Sequence, residues 1–165
     1  MMYLLDTGVV FELRNAKAKR TDAGLAAWAA AIPREDMYIS ALALLELEDD
    51  AARLERKDKA AGAALRDWIG GQVMRAFEGR ILPVDAAVVR RRFTLPYADA
   101  RDGLLAATAV EHGLTLVTRN VAAFKAGRVK TFNPWGYTPT ADEDGDWRQA
   151  ARTSSLWLKN LFVRT

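Results

Sequence analysis

The stretch Tyr3-Leu4-Leu5-Asp6-Thr7 decides the fold, because it is a short apolar run that ends in a carboxylate. Short apolar runs bounded by polar residues are typical of buried strands. A carboxylate beside core residues loses hydration, so it persists there mainly when it is paired, hydrogen-bonded or bound to a cation. We therefore predict a strand that delivers Asp6 to a site with a cationic partner, and a divalent metal is the first candidate.

Two further acids are set in apolar sequence far downstream of Asp6. Glu46 lies inside Leu44-Leu45-Glu46-Leu47, and Asp102 begins Asp102-Gly103-Leu104-Leu105. Three carboxylates that share this unfavourable setting predict one buried acidic site rather than three separate ones.

The composition narrows the chemistry that such a site can perform. With 165 residues, of which 50% are hydrophobic and 27% charged, the chain fits one ordinary globular domain. The absence of cysteine excludes disulfides, zinc-thiolate sites and thiol nucleophiles. A single histidine, His112, argues against a histidine-rich metal site or a Ser-His-Asp triad. Carboxylates remain as the main reactive groups.

The location and the partners are only weakly constrained by bulk properties. No segment offers the roughly 18 apolar residues of a membrane span, and the N-terminus lacks the pattern of a signal peptide, so we expect a cytoplasmic protein without membrane contact. The formal net charge of +3 permits a nucleic-acid partner without requiring one.

Strand and helix patterns alternate along the first 136 residues. Thr21 or Asp22, Ser40 and Asp85 are candidate helix N-caps, and a further helix is predicted over residues 59–77 with a weak point at its glycine pair 70–71. This alternation predicts an α/β fold with a mostly parallel sheet and helices on both faces. Residues 137–165 read as an appendage, an acidic linker followed by a possible helix. The five predicted strands are residues 2–5, 37–39, 80–82, 114–117 and 129–132.

The acids are spaced so that they meet at one edge of this sheet. Asp6 follows the first strand, Glu46 lies in the second turn of the helix after the second strand, and Asp102 lies in the first turn of a later helix. Asn120 closely follows the strand over residues 114–117. Ligands of parallel sheets bind beyond the carboxyl ends of the strands, so all four side chains are predicted to face one cleft.

Each of these positions also has a purely structural interpretation. Asp6 could cap the helix that follows it, and Asp102, three residues after Asp99, could satisfy amides at a helix start. Glu46 could pair with Arg53 on the same helix face, and the fourth position could be a turn residue. The joint pattern favours a shared site over four separate structural roles.

Five pieces of the chain, taken in order, resemble the PIN-domain ribonucleases, specifically the VapC-type toxins of bacterial toxin-antitoxin pairs. Together they cover residues 1 to about 136. The pieces are Tyr3 to Thr7, Ile39 to Leu47, Asp102 to Ala109, Leu116 to Asn120 and Phe132 to Trp135.

The resemblance implies a PIN-like three-layer α/β/α fold whose sheet has about five short strands. It implies that Asp6, Glu46 and Asp102 form an acidic pocket for Mg²⁺ or Mn²⁺ and that the protein hydrolyses RNA phosphodiester bonds. Asp6 and Asp102 are then direct metal ligands. Glu46 acts as base or ligates through water, and Asn120 positions water.

The resemblance also implies an RNA substrate, a VapB-like antitoxin and a homodimer or larger toxin-antitoxin assembly. Because an acidic pocket repels phosphate, its rim must supply cations, and Arg14 and Arg119 are the predicted RNA contacts. Further candidates on the rim are Lys17, Lys19, Arg20, Arg90 to Arg92, Lys125 and Arg128.

Three positions depart from the usual family pattern and keep alternatives open. Gly8 stands where such toxins commonly have Asn, Asn120 where many have a fourth Asp, and Ala123 where an Asp often occurs. One alternative is a catalytically weakened PIN-like module that binds RNA or a partner. A remote one is a dimeric aspartic protease built on Asp6-Thr7-Gly8.

Overall fold

The computed structural model describes residues 1–15 and 21–138, and within them five strands form one sheet. The strand order is β3-β2-β1-β4-β5 and every pairing is parallel. All five predicted strands are therefore confirmed, and the nearly all-β protease alternative is wrong. The strands are β1 Tyr3–Leu5, β2 Met37–Ser40, β3 Ile81–Leu82, β4 Thr115–Val117 and β5 Thr131–Phe132.

Helices connect the strands, and their ends follow the predicted capping residues. The side chains of Asp22, Ser40 and Asp85 each accept a hydrogen bond from a backbone amide in the first turn of the following helix. In the part of the chain that the structure describes, no helix is long and apolar enough to cross a membrane. The helices are α1 Thr7–Arg14, α2 Ala23–Ala31, α3 Ala41–Lys57, α4 Lys59–Trp68, α5 Met74–Ala76, α6 Ala86–Arg92 and α7 Ala100–Glu111.

The predicted weak point of the long fourth helix is a change of helical geometry. A wider π-helical turn, Ile69–Val73, separates α4 from α5 and contains Gly70 and Gly71. Glycine is a poor helix former because it leaves the backbone free, so a local change of winding costs little there.

Alternation along β1 sends neighbouring side chains into two separate cores. Leu5 joins Val9, Leu47 and others on one face, whereas Leu4 joins Leu105 and others on the opposite face. Both leucines are fully buried. The sheet is thus covered on both sides, and the predicted three-layer α/β/α architecture is confirmed.

The register of the central strands fixes the edge at which the acids lie. Leu5 pairs with Ile39 on one side and with Val117 on the other. The residues that follow these strands, Asp6 and Thr118 among them, therefore emerge side by side at the carboxyl edge of the sheet.

Two sequence predictions fall outside the described residues. The appendage was predicted over residues 137–165, and all of it beyond residue 138 lies there. The rim cations Lys17, Lys19 and Arg20 lie there too.

Candidate active site

Asp6 presents its carboxylate to the carboxyl edge of the sheet instead of capping α1. It occupies the N-cap position, but its side chain makes no capping hydrogen bond. Its Oδ2 atom accepts a bond from Thr118 Oγ1 at 2.8 Å, and its Oδ1 atom accepts one from Arg101 Nη2 at 2.5 Å. The capping interpretation therefore does not describe this side chain, and both of its oxygens serve the site.

Glu46 reaches the same place from the second turn of α3. Its carboxylate accepts hydrogen bonds from Thr7 Oγ1 and from the guanidinium of Arg101, including one from Nη2 at 3.2 Å. Arg53 pairs with Asp50 at 2.5 Å. The alternative pair between Glu46 and Arg53 is thus not formed.

Asp102 joins the site from the first turn of α7. Its backbone amide donates to the side chain of Asp99 at 2.8 Å, so Asp99 caps the helix. This leaves the Asp102 carboxylate available, and its Oδ1 atom accepts a bond from Arg101 Nη1 at 2.9 Å.

Arg101 lies at the centre of the three acids and contacts each of them. Burial alone would lower the pKa of Arg101, but hydrogen bonds with Glu46 and the charge of Asp6 together raise it above its ordinary value. The Arg101 side chain is 36% exposed, whereas the side chains of Asp6, Glu46 and Asp102 are 14%, 24% and 27% exposed. Arg101 is therefore the most exposed of the four side chains.

The donor atoms suit a hard divalent cation. Carboxylate oxygens are the ligands that Mg²⁺ and Mn²⁺ prefer, and Thr7 and Thr118 orient two of the three carboxylates. Within residues 1–15 and 21–138, however, no group of three acids is arranged so that it could hold a metal ion. The residue types fit a metal, and the guanidinium takes the position between them.

Two clefts flank the first turns of α1, and Gly8 and Glu12 line both. The cleft on the Glu46 side is also lined by Asp50, Arg53 and Arg101. The cleft on the Asp6 side is also lined by Thr118, Arg119, Asn120 and Trp135. Asp6, Glu46 and Asn120 thus line these clefts, and Asp102 joins them through its contact with Arg101.

The two predicted RNA contacts lie in different surroundings. Arg119 lines the cleft on the Asp6 side, and its guanidinium lies 5.6 Å from the centroid of the Trp135 ring. Arg14 lines neither cleft; its guanidinium lies 5.4 Å from the centroid of the Trp68 ring, and burial lowers its pKa. Contact with RNA stays a prediction for both residues, and the geometry favours Arg119.

Three side chains of the site are not among the predicted residues: Thr7, Arg101 and Thr118. Arg101 could have been predicted from the sequence, because a cation in the first turn of a helix opposes the helix dipole and therefore indicates acidic partners. Thr118 could not have been predicted, since only the register between β1 and β4 brings it beside Asp6.

Fold and site together define a class of α/β proteins whose parallel sheet carries a cluster of carboxylates at its carboxyl edge. The sequence pattern of the PIN domain family matches residues 3–128 of this chain. The chain therefore belongs to the PIN domain family.

Relatives within this family are similar over most of their length. Toxin FitB of Neisseria gonorrhoeae is 36% identical over 81% of this chain and 99% of its own. A VapC ribonuclease of Sinorhizobium fredii is 33% identical over 81% of this chain and 98% of its own. The crystal structure of FitAcB from Neisseria gonorrhoeae superposes with a TM-score of 0.73 at 34% identity, covering 81% of this chain and 99% of that one.

Proposed function

We propose that this protein is a metal-dependent endoribonuclease toxin that a cognate antitoxin neutralises. The observation that carries the proposal is the convergence of Asp6, Glu46 and Asp102 on one guanidinium at the carboxyl edge of the sheet. The names of its relatives, a toxin and a VapC ribonuclease, support the same activity. Mg²⁺ is the proposed ion, and Mn²⁺ an alternative.

The three acids have different roles in hydrolysis: two bind the ion and one accepts a proton. Asp6 and Asp102 would hold the ion; Thr118 orients the Asp6 carboxylate, and capping by Asp99 leaves the Asp102 carboxylate available. A divalent ion there would lower the pKa of water and stabilise the charge that builds on the phosphate. Glu46 accepts a proton from the attacking water as the oxygen of that water bonds to phosphorus; the bond to the leaving oxygen breaks, and this oxygen takes a proton from solvent. Thr7 holds the Glu46 carboxylate in place, and Asn120 positions water at the rim.

The RNA approaches an acidic pocket and therefore needs cations beside it. Arg119 is exposed on the cleft that contains Asp6 and Asn120. A guanidinium there neutralises phosphate and holds the backbone across the site. We propose Arg119 as the principal RNA contact. We also propose that the enzyme acts in the cytoplasm, where RNA is available.

The antitoxin would bind the same acidic pocket through a positively charged side chain. The three carboxylates bind one guanidinium of this chain, so once Arg101 has left they suit an arginine or lysine supplied by a partner. Such a side chain would compete with the metal and inhibit the enzyme. The FitAcB structure and the name Toxin FitB support a toxin-antitoxin pair, and we propose a homodimer as the toxin's own assembly.

The test is cleavage of a structured RNA by protein stripped of metal and then supplied with Mg²⁺ or Mn²⁺. We expect cleavage only with metal, and Asp6→Asn lowers its rate by at least about 100-fold, the scale of losing one preorganised charged group. Glu111→Gln is the matched control, because Glu111 pairs with Arg91 at the opposite end of α7. Wild-type protein that neither cleaves RNA nor binds either ion would overturn the proposal and leave a binding module.

A further inference from the structure

Arg101 partly neutralises the acidic pocket with a positive charge that belongs to the chain itself. One guanidinium contacts Asp6, Glu46 and Asp102, and its contacts with Asp6 and Asp102 measure 2.5 and 2.9 Å. These are charge-assisted contacts made by a planar group with several donors, the arrangement in which arginine binds carboxylates best. The three acids thus have a cationic partner built into the chain.

The guanidinium uses the oxygens that a metal ion would need. Of the two oxygens of Asp6, one accepts from Thr118 and the other from Arg101. Both oxygens of Glu46 accept from Arg101, as does Oδ1 of Asp102. A divalent ion between the same oxygens would lie against a like charge, which is strongly unfavourable in a half-buried pocket.

The present arrangement of the acids is that of a pocket with Arg101 among them. As the side chains stand, no group of three acids in residues 1–15 and 21–138 could hold a metal ion, and Arg101 contacts Asp6, Glu46 and Asp102. The Arg101 guanidinium can leave the acids toward solvent, because its side chain is about one-third exposed and lines the cleft on the Glu46 side of α1. Charge also favours the exchange, since three carboxylates with one guanidinium keep a formal charge of −2, whereas the same three with a divalent ion keep −1.

We propose that Arg101 is an intramolecular competitor of the catalytic metal: its guanidinium holds the pocket together without metal and leaves it when a divalent ion binds. This inference rests on the proposed metal-dependent function and adds a residue that sets the metal affinity. Arg101 acts through the acids that it occupies, so it is a positioning residue.

The test is Mn²⁺ binding measured by isothermal titration calorimetry on wild type, Arg101→Gln and Arg101→Lys. We expect Arg101→Gln to lower the Kd by about tenfold or more. We expect the Kd of Arg101→Lys to lie between those of wild type and Arg101→Gln, because lysine keeps the positive charge but lacks the planar guanidinium that donates to several oxygens at once. Arg53→Gln is the matched control. Arg53 lines the same cleft but pairs with Asp50 and not with the three acids, so we expect the Kd of this variant for Mn²⁺ to stay at the wild-type value.

Thermal unfolding supplies a second readout that needs no activity. In EDTA we expect Arg101→Gln to unfold at a lower temperature than wild type, because its three carboxylates have lost their cation. Added Mn²⁺ raises the Tm of this variant by more than it raises the Tm of wild type. If the variant does not fold, NMR of the arginine Nε–H groups in the wild type decides: Mg²⁺ moves the Arg101 signal to the position of solvent-exposed arginines.

The outcomes separate this inference from the proposed function. Unchanged or weaker Mn²⁺ binding by a folded Arg101→Gln, or an Arg101 signal that Mg²⁺ leaves in place, overturns the competition while the metal site stands. Absence of Mn²⁺ binding in the wild type and in the variant alike overturns both.

Discussion

At the scale of single residues, the site depends on how each carboxylate is held. Asp6 divides its two oxygens between Arg101 and Thr118, and Glu46 receives the hydroxyl of Thr7. Both hydroxyls belong to side chains that are at most 8% exposed. Groups that orient metal ligands commonly affect activity by about 10 to 100-fold, so the proposed metal site gives both threonines a role that can be measured.

Thr118→Val tests whether the Thr118 hydroxyl orients Asp6. Valine fills the same volume but cannot donate to Oδ2, so we expect the rate of RNA cleavage at saturating Mg²⁺ to fall by about 10 to 100-fold. Thr118→Ser keeps the hydroxyl and is expected to stay close to the wild-type rate. Equal rates for the two variants would show that the hydroxyl has no role in catalysis.

Residue chemistry explains what the sequence could and could not predict about the site. The three acids were predictable, because a carboxylate in an apolar run needs a partner whatever the fold. Their partner was predicted as a metal, whereas in the structure each contacts Arg101. The predicted roles of Asp6, Glu46, Asp102 and Asn120 in catalysis stay predictions.

At the scale of elements, the first turn of α7 delivers two members of the site together. Arg101 and Asp102 are neighbours there, and the side chain of Asp99 fixes the turn through the Asp102 amide. Apolar runs and caps made such elements predictable. The parallel register could not be read from the sequence, because it depends on long-range packing of β1 between β2 and β4.

Asp99→Ala tests whether this cap matters for the site as well as for the helix. Loss of a cap costs about 1 kcal/mol of stability, and fraying of the first turn moves Arg101 and Asp102, so we expect cleavage to fall by at least about tenfold. Asp85→Ala removes the cap of α6 and is expected to cost similar stability at the wild-type rate. Urea unfolding measures the loss of stability, and a cleavage assay measures the rate. Equal cleavage rates for Asp99→Ala and Asp85→Ala would contradict a role of the Asp99 cap in the site.

At the scale of the whole molecule, the fold brings together three acids that are widely separated in the chain. Asp6 and Asp102 lie 96 positions apart by their numbers, yet both contact the guanidinium of Arg101. Only the parallel sheet with helices on both faces places these side chains at one edge. The acidic site is therefore a property of the assembled domain.

The central claim is that these acids form one metal site once Arg101 has left it. Anomalous diffraction from crystals grown with Mn²⁺ tests this claim most directly. The account predicts an anomalous peak bonded to Asp6 and Asp102, close to Glu46, with the Arg101 guanidinium displaced toward the neighbouring cleft. A map at saturating Mn²⁺ that has no peak among the three acids, with Arg101 still between them, would contradict it.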